Sequence, residues 1–140
     1  MPSSGRVLGI DYGERRIGLA VSDELGIIAS GAGTIANDDG ALTRITELLR
    51  ERDIRGIVVG LPLTLRGEEG ASAELVQRFV RTLREHVDIP VELMDERFTS
   101  SLAEQAIRDM GVGKKKRREK GKIDEIAAVI LLQGYLDSPR

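Results

Sequence analysis

The sequence predicts an α/β fold: a five-stranded mixed sheet, made of a three-stranded antiparallel meander plus two parallel strands, flanked by helices. Three short apolar segments separated by turns open the chain and predict the meander. Short apolar segments then alternate with helical segments, which indicates parallel strands joined by right-handed crossovers. A chain of 140 residues is the usual size of one folded unit, so we expect a single domain over residues 1–140.

Each predicted strand is an apolar segment bounded by glycine, proline or polar residues. A short turn containing Gly13 joins the first two strands into a hairpin. The continuous apolar segment GIVVGLPL, stopped by Gly60 and Pro62, is typical of a strand buried on both faces of a parallel sheet. The five predicted strands are Arg6–Asp11, Ile17–Ser22, Ile27–Thr34, residues 56–63 and Pro90–Met94.

Four further segments predict helices. The first begins at Asp38 or Asp39, after which apolar residues recur on one face. The second follows the fourth strand and repeats apolar residues every four positions. Ser101 and Glu104 have the spacing of a capping box and would open a third helix. The last segment, IDEIAAVILLQGYL, is apolar almost all round, which predicts that it is largely buried.

The composition excludes several classes of protein. The chain has no cysteine, so disulfides, thiolate zinc sites and cysteine nucleophiles are excluded. No apolar segment approaches the roughly 18 residues that a membrane span needs, and residues 1–6 do not resemble a secretory leader. We therefore expect a cytoplasmic protein that has no membrane partner.

Positive charge is concentrated in one segment. The chain has a net charge of -2, whereas Lys114–Lys122 (KKKRREKGK) contains seven basic residues and one acidic residue. Such a segment is either a solvated loop or a contact for the phosphate backbone of a nucleic acid. Composition alone does not choose between these two interpretations.

Acidic residues end or follow two of the parallel strands. Asp11 ends the first strand and Glu96 follows the fifth, so both are expected at the sheet edge where open α/β sheets bind ligands. Asp124 opens the last helix and would join them if that helix packs beside the first strand. Asp95 competes with Glu96, because the facing of a residue at a strand end cannot be fixed to within one position.

Three neighbouring carboxylates favour a divalent cation. Like charges a few Å apart raise one another's pKa, and a bound ion removes that conflict. Oxygen ligands favour Mg²⁺ or Mn²⁺ over zinc. His86 is the single histidine and lies at a helix end, which argues against a Ser-His-Asp triad. The chemistry that remains is metal-assisted hydrolysis of a phosphodiester.

Each acid also has an ordinary structural interpretation. Asp11 could cap the turn that follows it, Glu96 could pair with Arg97, and Asp124 could stabilise a helix start through the macrodipole. The expected meeting of all three at one edge, beside the basic segment, favours the metal site. Candidate phosphate contacts are Arg15, Arg16, Thr99, Lys114, Lys115, Lys116, Arg117, Arg118, Lys120 and Lys122.

Four sequence blocks resemble one protein family. The blocks are GIDYGERRIGLAVSD, VVGLPL, DERFTS and KGKIDEIAAVILLQGYL. In this order and spacing they are similar to the YqgF (RuvX) family, whose members resemble Holliday-junction resolvases and have the ribonuclease H-like fold. The resemblance covers nearly the whole chain.

The resemblance implies a function and a choice of ligands. It implies that Asp11, Glu96 and Asp124 are the catalytic and metal-binding acids, and it favours Glu96 over Asp95. It also implies a cytoplasmic nuclease that processes the 5′ end of precursor 16S ribosomal RNA. The resolvases carry a fourth acid where Ala127 stands here, so structured RNA is expected as the nucleic-acid partner in preference to branched DNA.

Three other functions remain open from the sequence. One is a Holliday-junction resolvase acting on branched DNA. Another is a phosphotransferase or ATPase, whose phosphate loop also resembles GIDYGERRIGLA, although such proteins close two domains on the nucleotide. The third is a non-catalytic nucleic-acid-binding factor in transcription or ribosome assembly. The sequence shows no dimer interface, so the oligomeric state, a monomer or a weak homodimer, stays open.

Overall fold

The computed structural model describes residues 5–97 and 120–138. Five strands and three helices lie in these ranges. The strands are β1 (Arg6–Tyr12), β2 (Arg16–Ser22), β3 (Ala29–Ala36), β4 (Ile54–Leu61) and β5 (Val91–Asp95). The helices are α1 (Ala41–Glu51), α2 (Ala71–His86) and α3 (Lys120–Asp137). The predicted helix opened by Ser101 lies outside the described residues.

The strands form one mixed sheet in the order β3-β2-β1-β4-β5. Strands β1, β2 and β3 are antiparallel neighbours, whereas β4 pairs parallel with both β1 and β5. The predicted meander and the two parallel strands are therefore confirmed. Since β1, β4 and β5 run in one direction, their carboxyl ends lie at the same edge of the sheet.

Successive residues of the central strands face opposite sides of the sheet, and each side has its own core. On one side, Leu8 and Ile57 pack with buried residues of α1 and α2. On the other side, Val7 and Val58 pack with α3. Strands covered on both faces must be apolar throughout, which explains the unbroken apolar segment of β4.

Two glycines allow α3 to approach the sheet closely. A β-carbon on Gly9 of β1 would lie 2.8 Å from Leu132 Cβ. A β-carbon on Gly18 of β2 would overlap the backbone carbonyl of Asp124. No residue of the segment 123–136 is exposed, so the predicted burial of the last helix is confirmed. This close packing fixes Asp124 above the first hairpin.

The fourth strand is Ile54–Leu61 instead of residues 56–63, because Pro62 has no N–H to continue the ladder. Two further predicted element starts are wrong, and local hydrogen bonds explain why. The third strand begins at Ala29 instead of Ile27, because the Asp23 carboxylate accepts the N–H groups of Ile27 and Ile28 and holds them in the turn. The first helix begins at Ala41, with Gly40 as its N-cap.

The acid expected to start the first helix has another role. Asp38 lies before the helix, accepts the Gly40 N–H and pairs with Arg44 at 2.6 Å. Within residues 5–97 and 120–138, no helix combines the length and apolar character needed to cross a membrane.

Candidate active site

Asp11 and Glu96 meet at the carboxyl edge of the parallel strands. Asp11 lies near the carboxyl end of β1, and Glu96 directly follows β5, where its N–H donates to Leu61 O of β4 at 3.1 Å. Strand β4 separates the two acids, and at that level β4 carries Gly60. The absence of a side chain at Gly60 leaves room for the Glu96 carboxyl group, which a β-carbon there would overlap.

Burial makes this pair of carboxyl groups difficult to ionise. Burial raises the pKa of Glu96 to about 9, and the charge of Asp11 adds to the shift. Burial likewise raises the pKa of Asp11 to about 6; a hydrogen bond from Glu96 opposes that shift, whereas the charge of Asp124 reinforces it. The pair therefore holds a proton more tightly than two separate, exposed carboxyl groups would.

When both acids are ionised, one oxygen of the pair lacks a donor. Glu96 Oε2 is buried and has no hydrogen-bond partner among the described residues. A buried carboxylate oxygen without a donor is costly, and either a proton or a cation removes the cost. The pair is thus built to take up positive charge.

Asp124 reaches the same edge from α3, but its carboxylate contacts an arginine. Arg16 Nε on β2 donates to Asp124 Oδ2 at 2.8 Å. The negative charge of Asp124 raises the pKa of Asp11, so the two acids act on each other across the site. Asp124 therefore acts on Asp11 through its charge, while its immediate partner is Arg16.

A divalent cation fits Asp11 and Glu96 on two grounds. The donors are carboxylate oxygens, and Glu96 Oε2 is a buried oxygen that no described residue satisfies. Within the described residues, however, no three acidic or histidine side chains are arranged to hold a metal ion together. Of the three predicted acids, Asp124 pairs instead with Arg16.

The structure shows which of Asp95 and Glu96 faces Asp11, a choice that the sequence left open. Asp95 is exposed and accepts the Arg97 backbone N–H at 2.9 Å and its Nε at 2.8 Å. The alternative pairing of Glu96 with Arg97 is therefore wrong, since Arg97 binds the neighbouring acid. Glu96 points inward to Asp11.

Comparison with known proteins identifies the family. The family model described as "RuvX: Holliday junction resolvase" matches residues 5–138. A protein of Chloroflexus aggregans named "Putative pre-16S rRNA nuclease" is 48% identical over 136 residues, which cover 96% of this chain and 94% of that protein. A protein of the same name from Bacteroides fragilis is 40% identical over 136 residues, covering 96% and 98%. The chain belongs to the RuvX family.

Solved structures agree with the ribonuclease H-like fold expected for a RuvX protein. RuvC of Thermus thermophilus, solved in complex with a Holliday junction substrate, aligns with a TM-score of 0.57 and 17% identity, covering 94% of this chain and 93% of that one. The Fowlpox virus resolvase aligns with a TM-score of 0.54 and 11% identity, covering 94% and 97%. The predicted family, fold and nuclease class are confirmed by these matches together with the relatives.

The position of the resolvases' fourth acid is not acidic in this RuvX chain. Ala127, three residues after Asp124, is buried on α3. Glu125 turns to β3, where its Oε2 accepts the Gly33 N–H at 2.7 Å. The adjacent acid therefore has a structural role, as expected from the 100° step between helical neighbours.

The predicted phosphate contacts are only partly described. Arg15 is exposed in the hairpin turn, Arg16 pairs with Asp124, and Lys122 pairs with Glu125 at 3.5 Å. Thr99 and the basic residues Lys114, Lys115, Lys116, Arg117 and Arg118 lie outside the described residues, and Lys120 is described only as the first residue of α3.

Sequence reasoning missed the cleft beside the acids. A cleft of about 370 Å³ lies between the hairpin turn and the start of α2. Its walls include Tyr12, Ser72 and Leu75 together with Arg15, Arg16 and Asp124. Tyr12 is held by stacking on Phe79, with ring centroids 4.5 Å apart. Only the two adjacent arginines signalled this cleft in the sequence; the contribution of α2 depends on how the crossover packs.

Proposed function

We propose that this chain is a divalent-metal-dependent nuclease that hydrolyses phosphodiester bonds of precursor 16S ribosomal RNA in the cytoplasm, with Asp11, Glu96 and Asp124 as its catalytic acids. The observation that carries the proposal is the buried Asp11–Glu96 pair, in which Glu96 Oε2 has no hydrogen-bond partner among the described residues and so favours a positive charge. The relatives' name, which specifies precursor 16S rRNA, supports the RNA substrate.

The ion would be Mg²⁺ or Mn²⁺, held by Asp11 and Glu96 and completed by Asp124. Bound there, it would activate water and neutralise the charge that develops on the phosphate. Entry of the ion requires the Asp11–Glu96 pair to release the proton that its burial favours. Arg15 faces the adjacent cleft and would position a neighbouring phosphate.

Recognition would depend on phosphate charge and shape. Tyr12 has one ring face covered by Phe79, and Tyr135 is buried, so these three aromatic rings offer little surface on which bases could stack. The basic segment Lys114–Lys122 would supply most of the electrostatic attraction. A structured RNA fits this mode of recognition. We propose that a single domain binds the RNA, as a monomer or as a weak homodimer.

The experiment compares the wild-type chain with Asp11→Asn on structured precursor rRNA and on branched DNA, with Mg²⁺, with Mn²⁺ and with chelator. Asp88→Asn is the matched control, because Asp88 is exposed outside the cleft and loses the same charge. We expect ion-dependent RNA cleavage by the wild type and the control, and none by Asp11→Asn. Cleavage that persists in chelator or in Asp11→Asn would reject the metal mechanism, and preferential cleavage of branched DNA would make the resolvase function correct.

A further inference from the structure

Arg16 and Asp124 form an ion pair inside the proposed site. Arg16 Nε lies 2.8 Å from Asp124 Oδ2, and the Asp124 side chain is only 25% exposed. The two residues are 108 positions apart in sequence and come from β2 and α3. The close approach of α3 to Gly18, two residues after Arg16 on the same strand, fixes this geometry.

The Arg16–Asp124 ion pair divides the three proposed acids into two separate contacts. Asp11 and Glu96 contact each other, whereas Asp124 contacts Arg16, and no three acids of the described residues are placed to hold an ion together. A guanidinium and a metal ion are both cations that stabilise a carboxylate. They would compete for Asp124 Oδ2, because two positive charges at one oxygen repel each other.

We propose that Arg16 is a positioning residue that holds Asp124 until a divalent ion takes its place, and that the released guanidinium then binds a phosphate of the substrate in the adjacent cleft. This inference rests on the proposed metal-dependent function. Arg16 and Asp124 both line the cleft, so the guanidinium would move only within it. Ion entry and substrate binding would thereby be linked through one side chain.

The first test measures Mn²⁺ binding by calorimetry without nucleic acid. Arg16→Met removes the competing cation, whereas Arg15→Met removes the same charge from an exposed neighbour in the same cleft and is the matched control. We expect Arg16→Met to bind Mn²⁺ about fivefold more tightly than Arg15→Met, the scale of one partly exposed ion pair. Equal or weaker binding by Arg16→Met overturns the inference.

The second test follows Arg16 and its proposed phosphate. We expect the Arg16 Nε–H resonance of the wild-type chain to shift when Mg²⁺ is added. We also expect Arg16→Met to weaken binding of a structured RNA about fivefold in Ca²⁺ but much less in chelator. The inference is overturned if the Arg16 resonance does not move, or if Arg16→Met loses the same RNA affinity in Ca²⁺ as in chelator.

The two proposals fail in different ways. If neither the wild type nor any variant binds a divalent ion, the metal centre is wrong and the exchange falls with it. If the wild type binds the ion, and Asp11→Asn does not, while Arg16→Met and Arg15→Met remain equal, the metal centre stands and the role of Arg16 is wrong.

Discussion

Gly60 of β4 lies so close to Glu96 that a β-carbon at position 60 would overlap the Glu96 carboxyl group. The overlap would involve the far end of a side chain, which can rotate away, and not the backbone of the neighbouring strand. Glycine at this position is therefore needed less for the sheet itself than for the contact between Glu96 and Asp11.

Gly60→Ala should impair the site while leaving the fold intact. The added methyl group displaces the Glu96 carboxyl, so Mn²⁺ affinity should fall by at least about tenfold, equivalent to ~1.4 kcal/mol. The free energy of unfolding should change by less than about 1 kcal/mol, because a flexible side-chain end can yield. Calorimetry and urea denaturation measure the two effects.

Gly134→Ala provides the matched control. Gly134 lies on α3, and a β-carbon there would make an ordinary 3.4 Å contact with Met94. This variant should keep wild-type ion affinity. Unchanged ion affinity in Gly60→Ala would contradict the placement of Glu96 at the ion.

The buried acids should make the metal-free protein less stable as pH rises. The pKa values of Asp11 and Glu96 are raised to about 6 and about 9 in the folded state. Between the ordinary pKa values of the unfolded chain and these raised values, the folded state binds more protons than the unfolded state. The contribution of this pair to stability is therefore greatest below about pH 4, where both groups are protonated in either state, and is lost as pH rises toward about 9. Urea denaturation across this range in chelator measures the slope.

Glu96→Gln should remove most of this slope, since an amide does not ionise. At pH 8 in chelator, we expect the variant to be more stable than the wild type by at least about 1 kcal/mol, because a tenfold difference in proton affinity between the folded and unfolded states is equivalent to ~1.4 kcal/mol. Glu92→Gln, which changes an exposed acid of β5, should retain the slope. A slope that survives in Glu96→Gln would show that the pair does not carry the pH dependence.

Strand order allowed the sequence to predict the edge at which the acids meet. Asp11 and Glu96 end parallel strands, and parallel strands present their carboxyl ends together, so their proximity follows from topology. The choice between Asp95 and Glu96 did not follow, because facing alternates at every residue of a strand. It depends on the gap at Gly60 and on Arg97, which binds Asp95.

The contacts of Arg16 could not be predicted in the same way. Its partner, Asp124, comes from a helix more than a hundred residues later, and their contact depends on the packing of that helix on Gly18.

The predicted start of β3 was wrong for a local reason. The Asp23 side chain accepts two backbone N–H groups that an apolar pattern assigns to a strand. Side-chain hydrogen bonds of this kind are invisible to periodicity.

Gly18→Ala should destabilise the whole chain, in contrast to Gly60→Ala. A β-carbon on Gly18 would overlap the backbone carbonyl of Asp124, so α3 would have to move away from the sheet. We expect a loss of about 3 kcal/mol in the free energy of unfolding, at the upper end for overpacking. Gly121→Ala is the control, because Gly121 lies on α3 and its added β-carbon would lie 3.6 Å from Thr34. It should lower the free energy of unfolding by less than about 1 kcal/mol. A neutral Gly18→Ala would contradict the close packing of α3.

Nucleic-acid binding should weaken steeply with salt and show little preference among base sequences. The reason is the concentration of positive charge in Lys114–Lys122, since each phosphate contact releases bound counterions. Replacing Lys114, Lys115 and Lys116 with alanine should reduce the slope of log affinity against log salt by about two to three. Arg55→Ala, with an exposed arginine paired to Asp53, should leave that slope unchanged. A shallow slope in the wild type would exclude charge as the main source of affinity.

Gln133→Leu should expose the edge of the sheet at β3. The Gln133 side chain accepts the Ala29 N–H at 2.9 Å and donates to Ile27 O at 2.9 Å, so it satisfies backbone groups that would otherwise be free at the edge. Ile27 and Ile28 are already 57% and 60% exposed beside it.

An unprotected edge next to apolar side chains is a template for association. Gln133→Leu should therefore lose about 1–2 kcal/mol of stability in urea denaturation and scatter more light on warming. Gln77→Leu removes an exposed hydrogen bond that Gln77 of α2 donates to the Glu69 side chain, and it should do neither. If the two variants behave alike, edge protection is not the role of Gln133, and the added leucine alone accounts for the change.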